Sequence, residues 1–112
     1  MRIYFCREGM GYLKDILQHE LPDDDILDCA PEKVSEAAQD ADVLIPTVSK
    51  IGAAAFTSVR LKLVQQYGAG LDSVDIPAAT QAGVYVANIP SAGTGNAESV
   101  AELSLFFMLA LA

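Results

Sequence analysis

Five short apolar runs, each followed by a segment of helical character, constrain the fold of this chain more than any other feature of its sequence. The runs lie at 3–6, 26–30, 41–46, 61–64 and 84–87. Apolar runs of this length are typical of strands that are buried on both faces of a sheet. Because strand and helix alternate throughout, we expect an α/β domain whose single sheet has five parallel strands covered by helices on both faces.

The segments between the runs have recognisable helix signals. Apolar residues recur at helical spacing over 12–21, which places His19 on the opposite, solvated face of that helix. An alanine-rich segment at 51–59 predicts a further short helix. Asp75 is placed to cap the next helix, and Gly83 is placed to end it.

The last segment is too apolar for the exposed helix of a finished domain. A polar loop leads into a helix that begins near Asn96, and from Leu103 to Ala112 every residue except Ser104 is apolar. A helix that is apolar on all sides has to be buried, and this run is shorter than the roughly 20 residues that span a bilayer. We therefore expect that the chain is part of a longer protein, or that this helix packs into another copy and makes a homo-oligomer.

The loop Gly68-Ala69-Gly70 joins the fourth predicted strand to the next helix. Two glycines let a backbone turn sharply and leave its N–H groups uncovered, which suits a carboxylate or a phosphate. A loop after a parallel strand lies at the sheet edge where α/β proteins bind ligands. Ser73 occupies the position of the third glycine in the dinucleotide fingerprint, so the loop is a poor cofactor site. A plain tight turn remains the alternative interpretation.

Charge and cysteine content exclude several classes of function. The net charge is −8, which disfavours nucleic acid and anionic membrane surfaces as partners. Cys6 and Cys29 are predicted to be buried thiols of a cytoplasmic protein, because no signal peptide precedes them. His19 is the only histidine and no CxxC motif is present, so we expect no metal site.

Three stretches in the second half of the chain form a recognisable pattern: Gly68-Ala69-Gly70-Leu71-Asp72-Ser73-Val74-Asp75-Ile76, Val86-Ala87-Asn88-Ile89-Pro90 and Asn96-Ala97-Glu98-Ser99-Val100-Ala101-Glu102. Together they resemble the D-isomer-specific 2-hydroxyacid dehydrogenases, and among these the phosphoglycerate dehydrogenase-like branch. The resemblance is specific over 61–112. It implies a flavodoxin-like three-layer fold with a five-stranded parallel sheet in strand order 2-1-3-4-5 and a C-terminal interdomain helix. Residues 1–95 would be the substrate-binding domain, and 96–112 the start of the helix that crosses to a Rossmann domain for NAD or NADP.

The resemblance also assigns the candidate site residues. It implies that the backbone amides of Ala69 and Gly70 hold the carboxylate of a small substrate, and that Asn96 contacts the substrate beside the nicotinamide. A helix N-cap is the equal alternative for Asn96. The catalytic arginine, glutamate and histidine of the family, and its cofactor-binding glycines, belong to a part that this chain does not contain. No catalytic, cofactor-binding or metal-binding residue is therefore assigned here, and His19 is not the family's histidine.

Two departures from the family pattern bear on the substrate. Many relatives have arginine where this chain has Gln66, and Arg-Ser where it has Thr47-Val48-Ser49. Without those cations, a doubly charged phosphorylated substrate is left in doubt. Lys50 is one substitute for them, and a solvated lysine is the other interpretation of that residue.

The sequence thus predicts the substrate-binding part of an NAD-dependent oxidoreductase that acts on a D-2-hydroxy acid or a 2-oxo acid, and that is inactive alone. The alternative is a flavodoxin-like binding or assembly module without a catalytic role. A phosphoacceptor receiver would need acids after the first strand and an aspartate after the third, whereas this chain has Arg7-Glu8 and Pro46-Thr47. A flavin module would need hydroxyl side chains after the first strand, and these are missing.

Overall fold

A five-stranded parallel sheet forms the centre of the structure, a computed structural model that describes residues 1–112. Its strands run in the order β2-β1-β3-β4-β5, as predicted. The strand bounds are β1 Arg2–Phe5, β2 Asp25–Asp28, β3 Val43–Ile45, β4 Leu63–Gln65 and β5 Tyr85–Ala87. Each strand lies within a residue or two of its predicted run, so the apolar runs identified the strands correctly.

Four α-helices connect and follow the strands: α1 Gly11–Glu20, α2 Val34–Ala37, α3 Ile76–Ala82 and α4 Asn96–Leu111. Two 3₁₀ helices, Pro31–Lys33 and Ala53–Thr57, complete the set. The second of these is the short helix predicted over 51–59, with narrower bounds and 3₁₀ geometry. The hydroxyl of Ser58 accepts hydrogen bonds from the N–H groups of Arg60 and Leu61, which turns the chain toward β4 instead of extending the helix.

The sheet separates two hydrophobic clusters, which gives the three layers of the fold. On one face, Leu44 and Val64 pack with Val34 and Ala38 of the α2 region, Ala55 and Phe56 of the 3₁₀ helix, and Ala79 of α3. On the other face, Ile3, Phe5, Ile26 and Ile45 pack against Leu13 and Leu17 of α1. Successive residues of a strand point to opposite faces, so continuous apolar runs fill both clusters.

The predicted exposure of His19 and the predicted burial of Cys6 are confirmed, whereas Cys29 is less buried than predicted. His19 is exposed on α1, where its Nδ1 lies 3.2 Å from Oε1 of Glu20. Cys6 is buried and Cys29 half-buried, and both thiols are free. Burial raises the pKa of the Cys6 thiol and of the Cys29 thiol, so both stay protonated at neutral pH.

Ion pairs tie together the residues at the amino-terminal edge of the sheet. Arg60 bonds both carboxylate oxygens of Asp42, with Nε–Oδ1 at 3.1 Å and Nη2–Oδ2 at 3.0 Å, and the N–H of Arg2 donates to Asp42 Oδ2 at 2.7 Å. The Arg2 guanidinium pairs with Asp40 and with Asp25. Hydrogen bonds from Arg60 lower the pKa of Asp42, and the hydrogen bond from Arg2 lowers the pKa of Asp40.

Helix α4 extends from this body with every residue exposed. Gly93 and Gly95, both in the left-handed region, bend the chain before it begins. Its apolar residues predict a buried helix, but no other part of this chain covers them. None of the helices is both long and apolar enough to cross a membrane.

Candidate functional site

The candidate site is built on the glycine loop, residues 67–72, which follows β4 at the carboxyl edge of the sheet. Gln66, the residue just before this loop, holds its shape. The backbone N–H of Gln66 donates to Ala87 O at 2.7 Å, and its side chain is buried. Its Nε2 donates to Gly70 O at 3.0 Å, while its Oε1 accepts from the N–H of Tyr67 at 2.9 Å. Gln66, which stands where many relatives have an arginine, thus positions the loop through its side chain.

The other carbonyls of the glycine loop are also bonded inward. The N–H of Ile89 donates to Gly68 O at 2.9 Å, and Nδ2 of Asn88 donates to Ala69 O at 2.8 Å. By contrast, the N–H groups of Gly68, Ala69 and Gly70 donate to no other atom of the chain. In a trans peptide the C=O and the following N–H point in opposite directions. The N–H groups of Ala69 and Gly70 are therefore directed away from residues 88 and 89, free to bind an anion.

Neither glycine of the loop is required by the backbone conformation. Gly68 and Gly70 are not among the glycines with positive φ, so the chain bends at 67–69 without the left-handed conformation that glycine adopts readily. The side chain of Gln66 shapes the turn instead. A Cβ at Gly68 would meet nothing within 4 Å, and one at Gly70 would lie in ordinary contact, 3.6 Å from Asp72 Oδ2. The glycines leave open space beside free amides, which a ligand can fill.

A cleft of about 460 Å³ opens beside the loop. Three strand ends contribute to its walls: Arg7 and Met10 after β1, Thr47 and Val48 after β3, and Gln66, Tyr67, Gly68 and Gly70 after β4. Arg7 is the only charged residue among them, in a chain whose net charge is −8. The walls contain no histidine, carboxylate or thiol, and the phenol of Tyr67 and the guanidinium of Arg7 are their titratable groups.

Asn96 and Ala69 line a second, smaller cavity of about 240 Å³. Tyr67 and Gly68 border both spaces, so the structure places the three predicted substrate-binding residues around one loop, with Gly70 in the larger cleft. The N-cap interpretation of Asn96 is wrong. Gly95 holds that position with φ 73°, and the N–H of Asn96 is itself bonded to Thr94 Oγ1 at 3.4 Å.

The loop does not fit the pyrophosphate of a dinucleotide. Such a group binds at the N-terminus of the helix that follows the glycines. Here α3 begins only at Ile76, and the carboxylate of Asp75 already caps it by accepting from the N–H of Ala78 at 3.0 Å. That negative charge repels a phosphate. No group of three or more His, Cys, Asp or Glu side chains is arranged to hold a metal ion.

Comparisons with known proteins show similarity to a single family. The family model described as "D-isomer specific 2-hydroxyacid dehydrogenase, catalytic domain" matches residues 2–106. A D-3-phosphoglycerate dehydrogenase of Synechocystis sp. is 32% identical over 108 residues, which cover 93% of this chain and 18% of that protein. A glyoxylate reductase of Thermococcus onnurineus is 32% identical over 106 residues, covering 93% of this chain and 30% of that protein.

Solved structures show the same similarity. A 3-phosphoglycerate dehydrogenase of Entamoeba histolytica with bound NAD⁺ matches with a TM-score of 0.77 and 26% sequence identity over 96% of this chain. The match covers 38% of that structure's chain. This chain thus spans well under half the length of each of these similar proteins.

Proposed function

The chain belongs to the D-isomer-specific 2-hydroxyacid dehydrogenase family, and from this premise we propose that it supplies the substrate-binding part of an NAD- or NADP-dependent enzyme. The enzyme interconverts a D-2-hydroxy acid and the corresponding 2-oxo acid. Residues 1–95 form the substrate-binding domain, and 96–112 begin the helix that leads to a cofactor-binding domain. The NAD⁺ bound to the Entamoeba relative supports the choice of cofactor. Free thiols support the cytoplasm as the location of the protein.

One observation supports this proposal above the others: the glycine loop bonds its carbonyls inward and keeps its amides free beside a cleft. The N–H groups of Ala69 and Gly70 bind the substrate carboxylate, and Asn96 contacts the substrate from the second cavity. Hydrogen bonds from amides to an ionised carboxylate are short and strong. A carboxylate held in this way fixes the orientation of the neighbouring C2, the carbon that reacts.

Proton and hydride transfer do not belong to these residues. The walls of the cleft carry no acid–base pair, and the glycine loop does not fit a dinucleotide. In the proposed enzyme, both steps are the task of a cofactor and of side chains outside 1–112. The 112-residue chain alone is therefore expected to show no hydride transfer from NADH to a 2-oxo acid.

The exposure of α4 favours a second role, in assembly. Its two phenylalanines and its leucines are more than half exposed, and surfaces of this kind mark interaction sites. Homo-oligomerisation through α4 is compatible with the dehydrogenase role. It is also the remaining function if the cleft binds no acid, in which case the chain is a flavodoxin-like binding or assembly module.

A titration of the ¹⁵N-labelled chain with D-lactate, followed by NMR, tests the proposed site. We expect saturable shifts of the amide signals of residues 68–70 at millimolar ligand. In Gly68→Ala, the added methyl group occupies the open space beside these amides. It should weaken D-lactate binding about fivefold or more, a free-energy change of about 1 kcal/mol. It should also leave the free energy of unfolding unchanged, or raise it by about 0.5 kcal/mol.

Gly52→Ala is the matched control, because a Cβ there also meets nothing within 4 Å and Gly52 lies outside the cleft. It should bind D-lactate as the wild type does. Absence of shifts at residues 68–70, or equal weakening in the two variants, would contradict the carboxylate site.

A further inference from the structure

Arg7 is the one cation in the cleft, and no carboxylate neutralises it. Of the seven lysines and arginines, Arg2, Lys14 and Arg60 form ion pairs with aspartates, whereas Arg7 forms none. The adjacent Glu8 is exposed and does not line the cleft. An unpaired guanidinium facing a cleft, in a chain with 15 acidic residues, is a favourable place for an anion to bind.

The backbone that carries Arg7 is held in place. The buried hydroxyl of Ser49 donates to the carbonyl of Cys6, and the N–H of Cys6 donates to Ile45 O at 2.9 Å. On the other side of β1, the N–H of Cys29 donates to Phe5 O at 2.9 Å. The backbone at Arg7 is therefore fixed, which reduces the entropic cost of binding a ligand through its side chain.

Arg7 and the glycine loop lie on opposite walls of the cleft. They follow β1 and β4, which are separated by β3. Because neighbouring strands are about 4.8 Å apart, the two strand ends are about 10 Å apart. The guanidinium and the amides thus enter the cleft from separate walls, an arrangement that suits two anionic groups of one small molecule.

No other residue of the cleft duplicates this charge. The middle wall, where many relatives have arginine, has Thr47 and Val48. Lys50 is exposed and outside the cleft, which excludes it as the substitute cation in this conformation. The cation missing from the loop after β3 is thus replaced by one from the end of β1.

We propose that Arg7 determines substrate specificity by binding a second anionic group, a carboxylate or a phosphate, on a hydroxy acid whose first carboxylate is bound by Ala69 and Gly70. This inference rests on the proposed function, since it needs the glycine loop to hold the first carboxylate. The guanidinium suits both kinds of anion because its fork of N–H donors matches their paired oxygens.

The test compares three ligands by NMR titration of the ¹⁵N-labelled chain: D-lactate with one anionic group, D-malate with two carboxylates, and D-3-phosphoglycerate with a carboxylate and a phosphate. We expect at least one of the two larger ligands to bind about tenfold more tightly than D-lactate. Whichever of the two larger ligands binds more tightly than D-lactate identifies the second anion as a carboxylate or a phosphate. Arg7→Gln should abolish the gain, so that this variant binds the larger ligand no more tightly than it binds D-lactate.

Lys50→Gln removes the same charge from an exposed site outside the cleft and should preserve the gain. The inference is overturned if D-lactate shifts the amides of residues 68–70 but a second anion adds no affinity, or if the two variants lose the gain equally. Inorganic phosphate separates this result from a failure of the proposed function. If D-lactate leaves those amides unshifted while phosphate shifts the Arg7 side-chain Nε–H, only the carboxylate site fails; absence of both shifts overturns the Arg7 subsite as well.

Discussion

Thr47 combines two unfavourable features at the edge of the cleft. Its φ is 56°, in the left-handed region that a β-branched residue rarely adopts. Its Oγ1 is buried and has no hydrogen-bond partner within the chain. Strained residues and unsatisfied buried polar groups cluster at functional sites, because the surrounding structure has to hold them there. Thr47 lies between Arg7 and the glycine loop, so its strain is located where the substrate is proposed to bind.

Replacing Thr47 by valine separates the two features. The Thr47→Val variant keeps the shape and the strained backbone but removes the hydroxyl, so we expect the free energy of unfolding to rise by about 1 kcal/mol. Urea denaturation followed by circular dichroism measures the change. A loss of more than about 1 kcal/mol would mean that the hydroxyl makes a stabilising hydrogen bond in solution.

Single-residue chemistry was only partly accessible from the sequence. Glycine spacing pointed to uncovered amides in the loop after the fourth strand, and the family resemblance assigned those of Ala69 and Gly70 to the substrate. The roles of Gln66 and Asn88 were not visible. Each depends on a side chain bonding to a carbonyl that folding brings within reach, at Gly70 and at Ala69. Spacing carries no information about such contacts.

At the scale of elements, the apolar patterns predicted correctly which segments form helices and strands. They predicted less well which of these elements are buried by the rest of the chain. The strand runs, the Asp75 cap and the end of α3 at Gly83 are confirmed. Within 51–59, Ala53–Thr57 form a 3₁₀ helix that ends at Ser58, whose hydroxyl accepts from the N–H of Leu61, a local contact that alanine content does not reveal. For α4 the sequence predicted the helix correctly, but the predicted burial is not provided by the other elements of this chain.

The apolar surface of α4 leads to a prediction about association. We expect the chain of 112 residues to self-associate at micromolar concentration, and the variant that lacks residues 103–112 to be monomeric, as measured by multi-angle light scattering. Val59→Lys removes a hydrophobic side chain that is 92% exposed but lies outside α4, and this variant should associate as the wild type does. If both the full chain and the shortened chain are monomeric, α4 does not mediate association.

For the whole molecule, charge determines how stability depends on pH. Asp40 and Asp42 have lowered pKa values because they accept hydrogen bonds from Arg2 and Arg60. A carboxyl group whose pKa is lower in the folded state stabilises the fold fully above its unfolded pKa. That stabilisation is lost as the pH falls through the folded value, because the unfolded chain takes up the proton first.

Acid titration of stability checks this expectation. The free energy of unfolding should fall as the pH is lowered from about 4 to about 2, the range below the ordinary pKa of aspartate. Asp42→Asn should cost about 1 kcal/mol at pH 7 through lost hydrogen bonds to a partly exposed group, and should flatten the acid decline. Asp23→Asn, at an exposed aspartate without an ion pair, should leave the profile unchanged. If the wild type and both variants show the same dependence of the free energy of unfolding on pH, Asp42 does not contribute to the acid decline.

The inward bonding of the loop carbonyls also affects how strongly the loop attracts an anion. The carbonyl of Gly68 and the N–H of Ala69 belong to one peptide group, as do the carbonyl of Ala69 and the N–H of Gly70. When Ile89 and Asn88 donate to these carbonyls, they draw electron density toward oxygen and leave the linked nitrogens more electron-poor. Asn88 and Ile89, which do not line the cleft, thus increase the partial positive charge on the two N–H groups that are proposed to bind the carboxylate. We therefore expect Asn88 to contribute to affinity through the resonance of the neighbouring amide.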